Sequence, residues 1–325
     1  MTWLVEQGIG EERAIRFDGS RIIAARLHWP GSLVPGQIED AKLAVRRAGT
    51  ARGAVIFGNG QRAHVDGLPR SASEGATIRV EVTRARTWES GRTKIAQCRP
   101  SEKPLRPALG LAEQLVAEGE SVEVVHRFPT DADWTELWVE IDSQTVEFAQ
   151  GWLRFYPTPA MLLIDIDGED DPVSLSTAAA EPLARAILRW DLGGNIGVDF
   201  PTIAARDARK RVDAALDEVL RGWLHERTAM NGFGFVQLVA RLKRPSLLNL
   251  ISHNRAGAKA RALLREAEGL SGAGDVSLVC VDWVAKAMKE EWLAELARRT
   301  GRGVHVRVDP DRLDIESCFA QIVPR

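Results

Sequence analysis

The sequence predicts a mixed α/β fold (α+β in its arrangement) that contains a small β-barrel near the N-terminus. Short apolar segments separated by glycine-containing turns fill the first hundred residues, which favours a barrel. Residues 77–83 alternate strictly between apolar and polar side chains, as in a half-buried strand. From residue 108 onward, helical patterns alternate with strand patterns, which favours an α/β arrangement.

The N-terminal elements are predicted from apolar runs bounded by turn residues. The predicted strands include residues 21–27, 54–57 and 77–83. Turn signals lie between them at Asp18-Gly19, Gly58-Asn59-Gly60, Asp66-Gly67 and Ser90-Gly91. The polar, proline-bearing stretch 101–107 follows the barrel pattern and is a candidate domain boundary.

The rest of the chain alternates in type. Helices are predicted over 108–117, 178–188, 202–226, 259–268 and 283–299, and strands over 121–126, 152–155, 161–166, 196–200, 233–240, 276–281 and 304–308. Residues 136–148 fit either type. We expect a core that begins in 1–35 and continues over 101–250, a barrel over 36–100, and a small α/β domain over 251–325.

Composition restricts the classes of partner and compartment. A net charge of -2 over 325 residues excludes a whole-chain basic field for nucleic acid. No apolar run approaches the roughly 18 residues of a membrane helix, and residues 1–6 lack the start of a signal peptide. We therefore expect a cytoplasmic protein without membrane contact. The 3 cysteines and 6 histidines are scattered, so we expect buried free thiols and no structural zinc.

The predicted barrel is basic although the whole chain is near neutral. Its lysines and arginines are Lys42, Arg46, Arg47, Arg52, Arg62, Arg70, Arg79, Arg84, Arg86, Arg92 and Lys94. The acids in the same segment are Asp66, Glu74, Glu81 and Glu89. Such a segment is either a solvated barrel face or a surface that follows a phosphate backbone.

Two aspartates follow an apolar strand at residues 161–166. Asp165 and Asp167 are two positions apart, so both point to the same face of a strand. A second apolar strand, after Gly193-Gly194, ends at Asp199. If the two strands are parallel neighbours, Asp165 and Asp199 meet at their carboxyl ends, and a divalent cation would relieve the repulsion. The alternative is that these acids are only turn and helix-cap residues.

These segments resemble the catalytic core of the bacterial ribonuclease E/G family. That family carries an Ile-Asp-Ile-Asn strand, a helix, and then an Arg-Asp-Leu-Gly-Gly segment before a strand that ends in Asp-Phe. The two metal-binding aspartates of the family match Asp165 and Asp199, and its supporting asparagine matches Asp167. Residues 37–97 resemble the family's inserted OB-type RNA-binding barrel, and residues 276–308 resemble its small C-terminal domain.

The resemblance implies an RNase H-like/DNase I-like catalytic core with an inserted OB-type β-barrel. It implies Mg²⁺, with Mn²⁺ as an alternative, bound by Asp165 and Asp199, with Asp167 as a further ligand or orienting group. The implied reaction is cleavage of single-stranded RNA to 5′-phosphate and 3′-hydroxyl ends. The RNA-binding residues implied for the barrel are Phe57, as a stacking ring, and Arg62, Arg92 and Lys94, as basic contacts.

The chain also departs from the family pattern. The span between the barrel and Asp165 is too short for the family's 5′-end sensor, and no Cys-Pro-x-Cys zinc link occurs near residues 250–275. The loop after Asp167 is short and acidic. We expect a minimal member without 5′-monophosphate sensing or zinc-linked tetramers, acting as a monomer or a dimer. The alternative is a catalytically inactive RNA-binding protein of the same family.

Overall fold

The computed structural model of the chain describes residues 1–89, 92–309 and 317–324, and for positions 89 and 92 it describes the backbone alone. Its strands are β1 (Trp3–Gln7), β2 (Glu12–Phe17), β3 (Ile22–His28), β4 (Ile38–Arg46), β5 (Arg52–Ile56), β6 (Arg62–Asp66), β7 (Thr77–Arg84), β8 (Thr87–Glu89), β9 (Arg92–Lys94), β10 (Ala96–Pro100), β11 (Val122–Val125), β12 (Thr145–Phe148), β13 (Gly151–Pro157), β14 (Leu162–Gly168), β15 (Gly194–Asp199), β16 (His225–Arg227), β17 (Phe235–Ala240), β18 (Asp275–Cys280), β19 (Val304–Val308) and β20 (Phe319–Val323). Its helices are α1 (Leu111–Ala117), α2 (Trp134–Ser143), α3 (Pro172–Ala178), α4 (Ala180–Arg189), α5 (Arg206–Val219), α6 (Leu247–His253), α7 (Arg255–Glu268), α8 (Asp282–Ala285) and α9 (Glu290–Thr300).

The barrel is an insertion into a four-stranded sheet. The sheet has the order β11-β1-β2-β3, and β11 pairs with β1 in parallel. The chain therefore leaves this sheet after β3, forms the barrel, and returns to the sheet at Val122. The barrel is closed, in the order β10-β6-β5-β4-β7. The predicted mixed α/β fold with a small β-barrel is confirmed.

The barrel closes around a small apolar core. Alternate residues of its strands point inward, among them Leu43, Val55, Val65 and Val80, all with no exposed surface. On β7, Ile78, Val80 and Val82 pack in this core, as the alternating pattern at 77–83 predicts. Glu81 is also buried, and it pairs with Arg99 and Lys103. The β8–β9 hairpin extends from the barrel, and Asn249 of α6 binds the backbone N–H and carbonyl of Trp88 in that hairpin.

A six-stranded sheet carries the candidate site. Its order is β12-β13-β14-β15-β17-β16, and β14 and β15 are parallel neighbours. Its inner face, which includes Phe155, Ile164 and Val198, is fully buried against the helices and the first sheet. The ambiguous stretch 136–148 contains both types, since α2 ends at Ser143 and β12 begins at Thr145.

A three-stranded sheet, β19-β18-β20, packs with α7, α8 and α9 at the C-terminal end of the chain. The predicted boundary between residues 250 and 251 falls inside α6, whose leucines belong to the main core. Helix α7 continues into the C-terminal cluster, so no spacer separates the two cores. Among the helices of the described residues, none is long and apolar enough to cross a membrane.

All 3 cysteines are buried free thiols, as the sequence predicts. Burial raises the pKa of Cys98 to about 12 and that of Cys280 to about 11. Because the thiolate is the reactive form, we expect a disulfide reagent at pH 8 to label Cys98 and Cys280 in the native protein at least about a hundredfold more slowly than in the denatured protein. Time-resolved titration with such a reagent tests this, and rapid labelling of either thiol in the native protein would contradict it.

Candidate metal centre

Asp165 and Asp199 are brought side by side by the sheet. In the parallel pair of β14 and β15, these two residues are direct partners in the register. Their neighbours Ile164 and Val198 point into the core, so the aspartates point to the opposite face by the alternation of a strand. We call this the open face. The two carboxylates lie there toward the carboxyl ends of the strands, the region where α/β folds bind ligands.

Local sequence shapes the crossover that connects β14 to β15. The crossover between them contains α3 and α4, and Asp171 caps α3 by accepting hydrogen bonds from the backbone N–H groups of Val173 and Ser174. Gly194 opens β15 with a φ of 86°, which favours glycine. The acidic run after Asp167 therefore contains at least one helix cap, Asp171.

Asp191 has a structural role next to this segment. Its own φ is 52°, and its carboxylate accepts a hydrogen bond of 2.7 Å from Nε of Arg244. Arg244 also binds Glu118, which in turn pairs with Arg26. The conspicuous aspartate before the two glycines thus anchors the turn and lies outside the carboxylate pair.

The electrostatics of the open face disfavour three free carboxylates. Burial, followed by the charges of Asp199 and Asp167, raises the pKa of Asp165 above its ordinary 3.8. Because the folded pKa lies above the unfolded one, the stabilising contribution of Asp165 is present at low pH. It is lost as pH rises from about 4 through the folded pKa. At neutral pH the pair stores repulsion that a cation would relieve.

Arg154 is the functional candidate that sequence reasoning missed. It is the register partner of Asp165 on β13, and its Nη1 lies 3.2 Å from Oδ2 of Asp167. Its positive charge lowers the pKa of Asp165. The signal in the sequence that could have identified Arg154 is its charge between two apolar residues of a predicted strand, Leu153 and Phe155. Only the pairing of β13 with β14 places that charge beside the aspartates.

The donor set suits a hard divalent cation. Asp165 and Asp199 supply carboxylate oxygens, and Mg²⁺ is commonly bound by one or two carboxylates together with waters and substrate phosphate. Asp167 is exposed and paired with Arg154. Across residues 1–89, 92–309 and 317–324, no group of three or more His, Cys, Asp or Glu side chains is arranged to hold a metal ion. Two carboxylates are a number that Mg²⁺ commonly takes from a protein, so Asp165 and Asp199 fit a site whose other positions are filled by water or phosphate.

The four predicted RNA contacts lie in different surroundings. Phe57 is 2% exposed and packs in the barrel core, so its ring has no free face for stacking, and the predicted stacking role does not fit this structure. Arg62 is exposed on β6. The side chain of Arg92 lies outside the described residues. Phe57 is inward because it continues the inward-facing alternation of Val55 past the end of β5.

Lys94 lies in a cleft between the β8–β9 hairpin and the core. The cleft has a volume of about 540 Å³. Its lining includes Trp88, Tyr156, Asn195 and His253, and the rings of Trp88 and His253 stack with centroids 4.4 Å apart. Leu162 also lines it. Leu162 precedes Asp165 by three positions, so the cleft begins roughly 10 Å along the strand from the carboxylate pair.

No family model matches this chain, and no curated protein matches it. A relation to the ribonuclease E/G family therefore stays a prediction from the sequence, based on the strand that carries Asp165 and Asp167 and on the segment that leads to Asp199. The geometry is an independent physical argument for a cation site, since it pairs Asp165 with Asp199, two acidic residues that are 34 positions apart in the sequence.

Proposed function

We propose that this protein is a metal-dependent endoribonuclease that cleaves single-stranded RNA in the cytoplasm. The observation that carries the proposal is the direct register pairing of Asp165 with Asp199 on two parallel strands. In this proposal the six-stranded sheet and its helices form a catalytic core of the RNase H-like/DNase I-like class. The products carry 5′-phosphate and 3′-hydroxyl ends.

Asp165 and Asp199 would hold the metal ion, with Mg²⁺ preferred and Mn²⁺ as an alternative. When bound, the ion lowers the pKa of an attacking water and neutralises charge on the phosphate. Asp167 adds a further ligand or orients its neighbours. Tyr156 on the open face is 46% exposed. In this proposal a nucleic acid strand binds across that exposed surface, above the carboxylates.

A catalytically inactive RNA-binding protein is the second candidate. The ion pair between Arg154 and Asp167 favours it, because that pair neutralises one of the three carboxylates. The exposure of the ion pair weakens this argument, since exposed ion pairs contribute only about 0–1 kcal/mol and exchange partners readily.

The test uses the purified protein and 3′-labelled single-stranded RNA, with Mg²⁺ or with chelator. We expect internal cleavage only with Mg²⁺, and a 5′-phosphate on the downstream fragment that supports ligation. A double-stranded RNA of the same sequence is the matched substrate control. RNA binding without any metal-dependent cleavage would support the inactive alternative.

Mg²⁺ should stabilise the folded protein at pH 7. Since the ion binds the folded carboxylate pair, at ten times its dissociation constant it should add about 1.4 kcal/mol to the free energy of unfolding. The corresponding rise in Tm for a chain of 325 residues is about 2 °C. Thermal unfolding followed by circular dichroism measures this rise, which should vanish in Asp165→Asn. An equal rise in that variant would show that the ion binds elsewhere.

Lys94 should contribute to RNA affinity. We expect Lys94→Gln to weaken binding of single-stranded RNA and to lower the slope of log affinity against log salt concentration by about 0.7, because one phosphate contact is lost. Fluorescence anisotropy over a salt series measures the slope. Lys289→Gln removes a lysine of the C-terminal domain and is the matched control. Equal slopes for both variants would place the RNA away from the cleft.

A further inference from the structure

Arg154 lies on the open face, on the strand next to the one that carries Asp165. Its strand neighbours Leu153 and Phe155 are fully buried, so the Arg154 side chain points to the face that carries the aspartates. The side chain is 42% exposed, and its partner Asp167 is 55% exposed. The guanidinium also lies 5.8 Å from the ring centroid of Trp152 on the same strand. It is therefore reachable from solvent.

The position of this charge is unexpected for a site that holds only a cation. A guanidinium beside Asp165 and Asp167 opposes the binding of a second positive charge. The same group favours an anion, and its planar donors match the geometry of phosphate oxygens. An exposed ion pair such as that between Arg154 and Asp167 holds its partners weakly, so the guanidinium is available for exchange.

We propose that Arg154 is a phosphate clamp that pairs with Asp167 in the free protein and binds non-bridging oxygens of the RNA phosphate held at Asp165 and Asp199. This rests on the proposed function and assigns a substrate-contacting residue to the same site. In this exchange the guanidinium of Arg154 moves from the carboxylate of Asp167 to the phosphate, and no covalent bond changes. Asp167 is released by the same movement and becomes available to the bound ion.

The clamp predicts two effects of opposite sign. Removing the charge of Arg154 eliminates a repulsion and frees Asp167, so a divalent ion should bind the RNA-free protein more tightly. Removing the same charge eliminates donors to the phosphate, so RNA should bind more weakly and be cleaved more slowly. A residue that only supports the fold would weaken metal binding and RNA binding together.

The experiment compares wild type with Arg154→Gln and Arg154→Lys. Arg298→Gln is the matched control, because it removes an exposed, ion-paired arginine from α9. Mn²⁺ affinity is measured on RNA-free protein by electron paramagnetic resonance. Affinity for unmodified single-stranded RNA is measured by anisotropy in chelator, and the rate of cleavage is measured with Mg²⁺ at saturating RNA.

We expect Arg154→Gln to bind Mn²⁺ roughly three- to tenfold more tightly. Its cleavage rate should fall on the order of 10²-fold, as when one donor to a developing charge is lost. Arg154→Lys should retain part of the rate, because it keeps a point charge but loses the planar donors. Arg298→Gln should match wild type in all three measurements.

Either of two results would overturn the clamp: unchanged cleavage by Arg154→Gln, or weaker Mn²⁺ binding by that variant. Failure of the proposed function is distinguishable, because it appears as a wild type that does not cleave RNA at all. In that case the affinity for unmodified RNA in chelator still decides: weaker binding by Arg154→Gln than by Arg298→Gln supports a phosphate contact, and equal binding overturns it.

Discussion

Replacing Asp199 by asparagine is expected to lower the rate of RNA cleavage on the order of 10³-fold at saturating Mg²⁺. Asparagine has nearly the same shape as aspartate but lacks the charge that the candidate metal pair requires. Asp199 is exposed, and it adds to the repulsion that raises the pKa of Asp165. The metal-free fold should therefore be retained, with a free energy of unfolding equal to or above that of wild type.

The measurement is the single-turnover rate on labelled single-stranded RNA, paired with RNA affinity in chelator. Affinity should be kept or should increase, because a negative charge is removed from the RNA-facing surface. Asp207→Asn is the matched control, since it changes another exposed aspartate at the first turn of α5. A rate for Asp199→Asn within threefold of wild type would contradict the assignment of this carboxylate.

Replacing Glu6 by alanine is expected to lower the free energy of unfolding by about 3–5 kcal/mol. Its carboxylate is 3% exposed and accepts hydrogen bonds from Arg13 and from Nε of Arg265 at 2.8 Å. It also accepts one from the backbone N–H of Phe128. Removing it leaves Arg13, which is 1% exposed, with only Glu11 as its carboxylate partner in this network.

This network joins β1 to α7 and so connects the first sheet with the C-terminal domain. Burial raises the pKa of Glu6, but the hydrogen bond from Arg265 and the charge of Arg13 outweigh it, so the net pKa lies below 4.5. A depressed pKa means that the contribution is present at neutral pH and is lost as pH falls below about 4.5 toward the folded pKa.

Urea denaturation at pH 7 and near pH 3 measures this contribution. The difference between wild type and Glu6→Ala should be large at pH 7 and smaller near pH 3. Glu123→Ala, an exposed glutamate on β11 of the same sheet, should change stability by no more than about 0.5 kcal/mol. A Glu6 variant as stable as the Glu123 variant at pH 7 would show that the buried ion pairs are not coupled to folding.

Much of the architecture was predictable because it is local. The barrel strands and the strands that carry Asp165 and Asp199 are apolar runs with turn residues at their ends. Hydrophobic period and turn chemistry act over a few residues, so they are visible without the fold. The pairing of Asp165 with Asp199 was also predictable, because two strands joined by a helix favour a parallel arrangement.

The missed features depend on which face a side chain takes and on which strand lies beside it. Phe57 is one position beyond β5, and its inward orientation follows from barrel closure. Arg154 acquires its importance from the register of β13 against β14. A shift of one residue in that register would move Arg154 to the core face, so its role is a property of the sheet.

The sequence by itself determined the mixed α/β class, the barrel, the buried cysteines and the two acidic strand ends, because each follows from short-range pattern. The tertiary structure alone decided three other features: the burial of Phe57, the placement of Arg154 beside the aspartates, and the contact of Glu6 with Arg265, 259 positions away. Those depend on strand register and domain packing, which bring together residues whose spacing in the chain carries no signal.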